Sequence, residues 1–150
     1  MTTKNINHMK TIIKTIATAL FLITSFSSFA NENPDPLKNM NSMAIVRTFL
    51  EASALGQATL NEELLAKDFQ YYSASSPDIT YNKKQYSEFL KSTKGLKYNC
   101  KTSYQILDES GNHCVAKVIM KFDTFTRVDY ITLNRSTDSW KVSKVVSTFP

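Results

Sequence analysis

The residues with the most chemical potential are Arg127 and Asp129, which stand two apart in the segment Phe125–Asn134. Spacing of two puts both side chains on one face of a strand. Lys144, in the next alternating segment, falls diagonal to Asp129. Diagonal neighbours in a sheet lie about 7–8 Å apart, within reach of long side chains. Tyr98 and Tyr104, six apart, share that face on an earlier strand. Three charges and two phenols inside an otherwise apolar site would orient a small, partly apolar ligand, so Arg127, Asp129, Lys144, Tyr98 and Tyr104 are the candidate ligand-binding residues. The competing role is structural. A buried charge is costly unless paired, and an ion pair kept only for that reason would have the same sequence.

Other chemistry finds little support. Beyond residue 30 the only histidine is His113, at a hairpin end and facing outward. Gly56, Gly95 and Gly111 serve two helix ends and a turn, which leaves none for a phosphate-binding loop. No His-Glu-x-x-His or Cys-x-x-Cys spacing occurs, so neither a metal nor a cofactor is expected. Cys100 and Cys114 could form a disulfide in an oxidising compartment. The strand register derived below sets Cys114 opposite Ile106, six residues or roughly 20 Å from Cys100. A bond needs Cα atoms within about 7 Å, so two separate thiols are expected.

The elements that position these groups follow from periodicity. Met43, Val46, Phe49, Leu50 and Ser53 repeat at helical spacing over Met40–Leu55, and Gly56 ends the run. Thr59-Leu60-Asn61-Glu62 has the pattern of a capping box opening a short second helix. Strands at Phe69–Ala74 and Asp78–Tyr81 follow. Asn82 then caps a third helix whose inner stripe is Tyr86, Phe89, Leu90 and Thr93.

From Leu96 the period changes to two, predicting strands at Tyr98–Leu107, Cys114–Phe122, Phe125–Asn134 and Trp140–Phe149. A three-residue loop at Glu109-Ser110-Gly111 sets Ile106 opposite Cys114. A turn at Asp123-Thr124 sets Met120 opposite Arg127 and Val118 opposite Asp129. A turn at Thr137-Asp138 sets Leu133 opposite Val142 and Ile131 opposite Lys144. Together these place Cys114, Ala116, Val118, Met120, Phe122, Phe125, Ile131, Leu133, Trp140, Val142 and Val146 on one face, and a one-residue slip would break that agreement. The expected class is α+β, with helices on one face of a mainly antiparallel sheet.

The N-terminus reads as an export signal. Lys4, Lys10 and Lys14 precede the apolar run Ile16–Ile23, and Ser28-Phe29-Ala30 offers small residues at a cleavage site. The run falls short of the roughly 20 apolar residues that span a membrane, so no anchor is expected after cleavage. Residues 1–30 are thus assigned as signal, 31–39 as a flexible leader, and 40–150 as one domain, periplasmic or secreted. The chain carries 18 basic and 13 acidic residues. Three of the basic ones lie in the signal, which leaves fifteen against thirteen. The whole-chain charge of +5 therefore drops to +2, and nucleic-acid binding loses its main support. The opposite sheet face mixes Val115, Ile119, Val128, Tyr130, Val145 and Phe149 with Lys101, Lys117, Lys121 and Lys141. A half-apolar exposed face of that kind suits a homodimer.

The order of elements resembles the cone-shaped nuclear-transport-factor-2-like fold, with three N-terminal helices packed on a curved sheet. Phe49-Leu50-Glu51-Ala52 before Gly56, Val128-Asp129-Tyr130-Ile131-Thr132-Leu133, and Trp140-Lys141-Val142-Ser143-Lys144 resemble the bacterial group named for lumazine binding. The likeness runs from about Met40 to Val146. It implies a pocket on the helix-covered face and dimerisation through the other. It does not fix a function, because one fold hosts many. Isomerase-like relatives use a tyrosine from the helical side with a carboxylate, whereas Met40–Gly56 holds no tyrosine and only Glu51. Dehydratase-like relatives use a histidine. Epoxide-hydrolase-like relatives use two aspartates flanking an arginine, and here Asp123 falls on the opposite face. A non-catalytic pocket is the leading expectation, with an isomerase or dehydratase using a pocket carboxylate, and a protein-interaction module, as alternatives.

Overall fold

The computed structural model of the chain describes residues 35–57 and 61–150. The export signal, residues 31–34 and the start of the proposed Thr59 capping box lie outside the described residues. Helix α1 spans Ser42–Ala54, α2 is a single turn at Asn61–Leu64, and β1 (Leu65–Ser73) and β2 (Ser76–Asn82) follow. Helix α3 (Lys83–Ser92) then precedes β3 (Lys101–Ser110), β4 (His113–Lys121), β5 (Thr126–Ser136) and β6 (Ser139–Thr148). The architecture is α+β with a six-stranded sheet in the order β2-β1-β6-β5-β4-β3. Among the described residues only β1 and β6 pair in parallel. The described residues hold three helices, of which α2 is a single turn and α3 follows the first hairpin.

Each long helix starts where a side chain can satisfy its free N–H groups. Asn41 accepts from the Ala44 N–H at 2.8 Å to open α1. Asn82 and Gln85 form a reciprocal capping box at α3. The buried stripe of α1 is Ile45, Val46, Phe49, Leu50 and Ala54, whereas Met43, expected inside, is exposed. This stripe packs on β3, β4 and β6, and α3 packs on β1 and β2. The core is therefore a single layer between helices and one sheet face, with Val118, Met120, Ile131, Leu133, Val142 and Val145 all fully buried.

The central hairpin has the predicted register, with Met120 opposite Arg127 and Val118 opposite Asp129. The two hairpins beside it differ from expectation, the first through its turn and a bulge, the second through a bulge alone. Between β3 and β4 the connection is a two-residue turn, with Ser110 opposite His113 and Gly111 at φ 58°. A register shift between Ile106 and Asp108 then sets Ile106 opposite Ala116, not Cys114. Cys114 lies opposite Glu109, nine positions along from Cys100, and both thiols are free. Between β5 and β6 the Thr137-Asp138 turn forms as expected and pairs Leu133 with Val142, but the register shifts at once and pairs Thr132 with Lys144 and Ile131 with Val145. The extra residue, Ser143, inverts the facing of everything after it. Val145 and Ser147 consequently point into the core, while Lys144 and Val146 point away. Phe125 also departs from expectation. It is exposed and stacks on the half-buried Phe122 at 4.4 Å.

Part of the expected flexible leader is docked. Leu37 is fully buried, and its N–H donates to Asp35 Oδ1 at 2.9 Å. Asp35 Oδ2 accepts from Ser139 Oγ at 2.8 Å and Lys141 Nζ at 3.1 Å. Residues from Asp35 onward therefore belong to the domain, which was expected to begin at residue 40. Burial raises the Asp35 carboxyl pKa, but the Leu37, Ser139 and Lys141 hydrogen bonds and the Lys141 charge outweigh it and hold it below its ordinary 3.8. A depressed folded pKa stabilises the fold above the unfolded value, and that contribution is lost as pH falls through the folded pKa. Asp35→Asn is expected to lower urea stability at pH 7, with the gap from wild type closing below about pH 4. A gap that stayed at its full pH 7 size through the whole acid range would show that the charge is not the stabilising element.

Candidate functional site

Strand β5 presents Arg127 and Asp129 to the helix-covered face. Arg127 Nε donates to Asp129 Oδ1 at 2.8 Å, with the Arg127 side chain 13% exposed and that of Asp129 0%. Their third partner is Ser147, directly opposite Asp129 on β6, whose hydroxyl donates to the same oxygen at 2.5 Å. Asp129 Oδ2 is buried with no hydrogen-bond partner among the described residues. Burial alone would make Arg127 less basic, but the adjacent Asp129 carboxylate overcomes that and raises its pKa. The guanidinium is charged at every physiological pH.

Above this pair stands Tyr86 of α3. Its ring is enclosed by Phe49, Phe69, Tyr71 and Phe89, with centroids 5.1–6.1 Å apart. Its hydroxyl is buried without a well-formed hydrogen bond among the described residues. Burial drives the phenol pKa well above its ordinary value, with the nearby Arg127 charge opposing, so Tyr86 stays protonated. Buried tyrosine hydroxyls normally find partners; here the Arg127 guanidinium is near enough to lower the phenol pKa by its charge and a side-chain interaction, without completing a well-formed hydrogen bond.

A cavity of about 340 Å³ opens beside these groups, lined by Tyr71, Tyr81, Tyr86, Phe89, Phe149 and Ile79, by Ser73, Ser75 and Ser76, and by Arg127. Among the described residues Arg127 is its one charged lining residue. Asp129 is not in the lining; it holds Arg127 from behind. A groove of about 840 Å³ between β1 and α3 is larger. Its rim is mostly solvated charge of both signs, and Lys91–Glu62 and Lys83 are already engaged, the former in an ion pair and the latter with the Leu65 carbonyl. The smaller cavity is the candidate because Arg127 and Tyr86, whose buried hydroxyl lacks a hydrogen-bond partner among the described residues, both line it.

Of the five candidates, the structure brings together Arg127 and Asp129 alone. Lys144 is turned outward by the Ser143 bulge and lies over the Tyr72 ring at 5.1 Å. Tyr98 precedes β3 and packs against Phe122 at 6.1 Å. Tyr104 does sit on the inner side of β3, opposite Val118, but β3 is the sheet edge and the side chain is 37% exposed. Sequence reasoning misses Tyr71, Tyr81 and Ser147, and finds Tyr86 only as core. His113 is exposed, with Nδ1 3.1 Å from Asn134 Oδ1. Among the described residues no group of three His, Cys, Asp or Glu side chains is arranged to hold a metal ion.

No family model and no curated protein matches the sequence, so the lumazine-binding group gains no support. Solved structures do match. A nuclear-transport-factor-2-like protein of unknown function from Silicibacter pomeroyi aligns with TM-score 0.58 at 11% identity, over 72% of this chain and 92% of that one. A nuclear-transport-factor-2-like protein from Cytophaga hutchinsonii aligns with TM-score 0.57 at 20% identity, over 73% and 98%. A ketosteroid isomerase-like protein from Erwinia carotovora atroseptica aligns with TM-score 0.56 at 12% identity, over 71% and 92%. With its six-stranded sheet and overlying helices, the chain has the nuclear-transport-factor-2-like fold.

Proposed function

We propose that this domain binds a small, partly apolar molecule in the cavity between Tyr71, Tyr86 and Arg127, and that it does so without catalysing a reaction. One observation carries the reading: the charged group offered to the cavity is a guanidinium, while the carboxylate that could move a proton is sealed behind it. Arginine holds its proton throughout the physiological range and serves as a fixed donor. General acid–base work needs a group that exchanges its proton near neutral pH. An isomerase or dehydratase using Asp129 would need Oδ2 open to the substrate, and Asp129 is fully buried.

Two companion proposals go with it. The N-terminal pattern supports export with cleavage after Ala30. The outer sheet face supports pairing of two copies: α1 and α3 pack on the opposite side, and this face carries Ile119, Val146 and the exposed Tyr130, which lies under Lys117. Native mass spectrometry of protein purified from its own cells reads all three. Expected are the mass of the chain from Asn31, a dimer, and a retained small molecule. An empty pocket at every stage of purification, with no small aromatic compound binding to the protein, would sink the binding reading.

A further inference from the structure

We infer that the ligand is a small aromatic monocarboxylate, with its carboxylate on the Nη groups of Arg127 and its ring against Tyr71 and Tyr86. This rests on the binding reading above and narrows it to a chemical class. Arg127 commits only Nε to Asp129. Among the described residues its well-formed hydrogen bond is from Nε alone, with the Tyr86 hydroxyl in looser reach of the guanidinium, and the side chain lines the cavity. A guanidinium edge presents paired donors that match the two oxygens of a carboxylate. The Tyr86 hydroxyl, fully buried and unpartnered, adds a further donor at the same place.

The other classes fit less well. A cation would meet Arg127. A neutral apolar guest would leave the guanidinium and the Tyr86 hydroxyl desolvated without partners, which is costly. A phosphate dianion calls for more positive charge than a single arginine already half-neutralised by Asp129. The walls suit an aromatic guest, because Tyr71, Tyr81, Phe89 and Phe149 line the cavity and offer ring surface to pack against. A volume of about 340 Å³ is at the lower end for ligand pockets, which run from roughly 300 Å³ upward. That suits one or two rings.

The test titrates the purified mature chain with benzoate, 2-naphthoate and the neutral benzamide, followed by calorimetry and ligand-observed NMR. Both carboxylates are expected to bind at least tenfold more tightly than benzamide. Arg127→Lys keeps the charge but loses the fork, and should cut benzoate affinity at least fivefold with benzamide little changed. Tyr86→Phe should weaken benzoate severalfold, while Lys144→Met, on the other face, should change nothing. Equal binding of benzoate and benzamide, or carboxylate binding indifferent to Arg127→Lys, overturns the inference and leaves the binding reading standing. A retained native ligand with no ring or no acid group does the same. If no probe binds and no ligand is retained, the binding reading falls and this inference with it.

Discussion

Asp129→Ala is expected to destabilise the domain by about 3 kcal/mol, because it strands the Arg127 guanidinium without its counter-charge. The side chain is 13% exposed and cannot relieve itself by losing a proton, so the desolvation cost stays with the folded state. The 13% that faces the cavity keeps the loss at the lower end of the range for broken buried pairs. For a domain of this size the melting temperature should fall by on the order of 10 °C. Arg127→Met combined with Asp129→Leu should recover most of the loss, since replacing both partners by apolar groups of similar shape is close to neutral. Thermal melts of the wild type, both single variants and the double variant close the cycle. A double variant as unstable as Asp129→Ala would show that the pair does more than neutralise itself. A stable double variant that still bound ligand would remove Arg127 from the site.

Gly56→Ala should be nearly as damaging, for a backbone reason. Gly56 follows the last turn of α1 at φ 67°, the left-handed region that glycine enters without penalty. A Cβ there would come within 2.7 Å of the Leu96 nitrogen and 2.8 Å of the Gly95 nitrogen and the Leu96 oxygen. All three are backbone atoms of the turn after α3, and the Gly95 N–H donates to the Gly56 carbonyl at 3.0 Å. Neither chain can yield without breaking that bond. Gly111 has a similar φ of 58° but open space where a Cβ would stand, so Gly111→Ala carries the conformational cost alone, about 1–2 kcal/mol. Gly56→Ala should cost about 3 kcal/mol, the excess being the clash. Urea unfolding of the two variants measures the difference; equal losses would mean that the α1 and α3 ends separate easily.

Much of the fold was legible because its signals are local. Asn82 with Gln85 names a helix start, and Phe122-Asp123-Thr124-Phe125 names a tight turn between matched apolar residues. Bulges leave no such signature. Val145 and Val146 are both apolar, so the alternation on β6 reads equally well in either phase, and nothing marks Ser143 as the extra residue. That single insertion exchanged Lys144 for Ser147 beside Asp129. The edge position of β3 was hidden for a related reason: Tyr104 has the correct parity, but parity does not report whether a second layer covers the strand. Tyr86 had a readable clue. A tyrosine in the buried stripe of a helix must do something with its hydroxyl, and no partner for it was evident in the sequence.

The parallel pairing of β1 with β6 bears on how the chain reaches its native state. β6, the last strand, occupies an interior place in the sheet, joined to β1 on one side and β5 on the other. Until it arrives, β1 and β2 are a lone hairpin with an open edge, and Leu65 and Tyr71 await Val142 and Val145 from the far end of the sequence. Contacts of such long separation are closed late and at high entropic cost. A nascent chain lacking these residues cannot complete the sheet, so the last ten residues of the sheet decide when the fold closes.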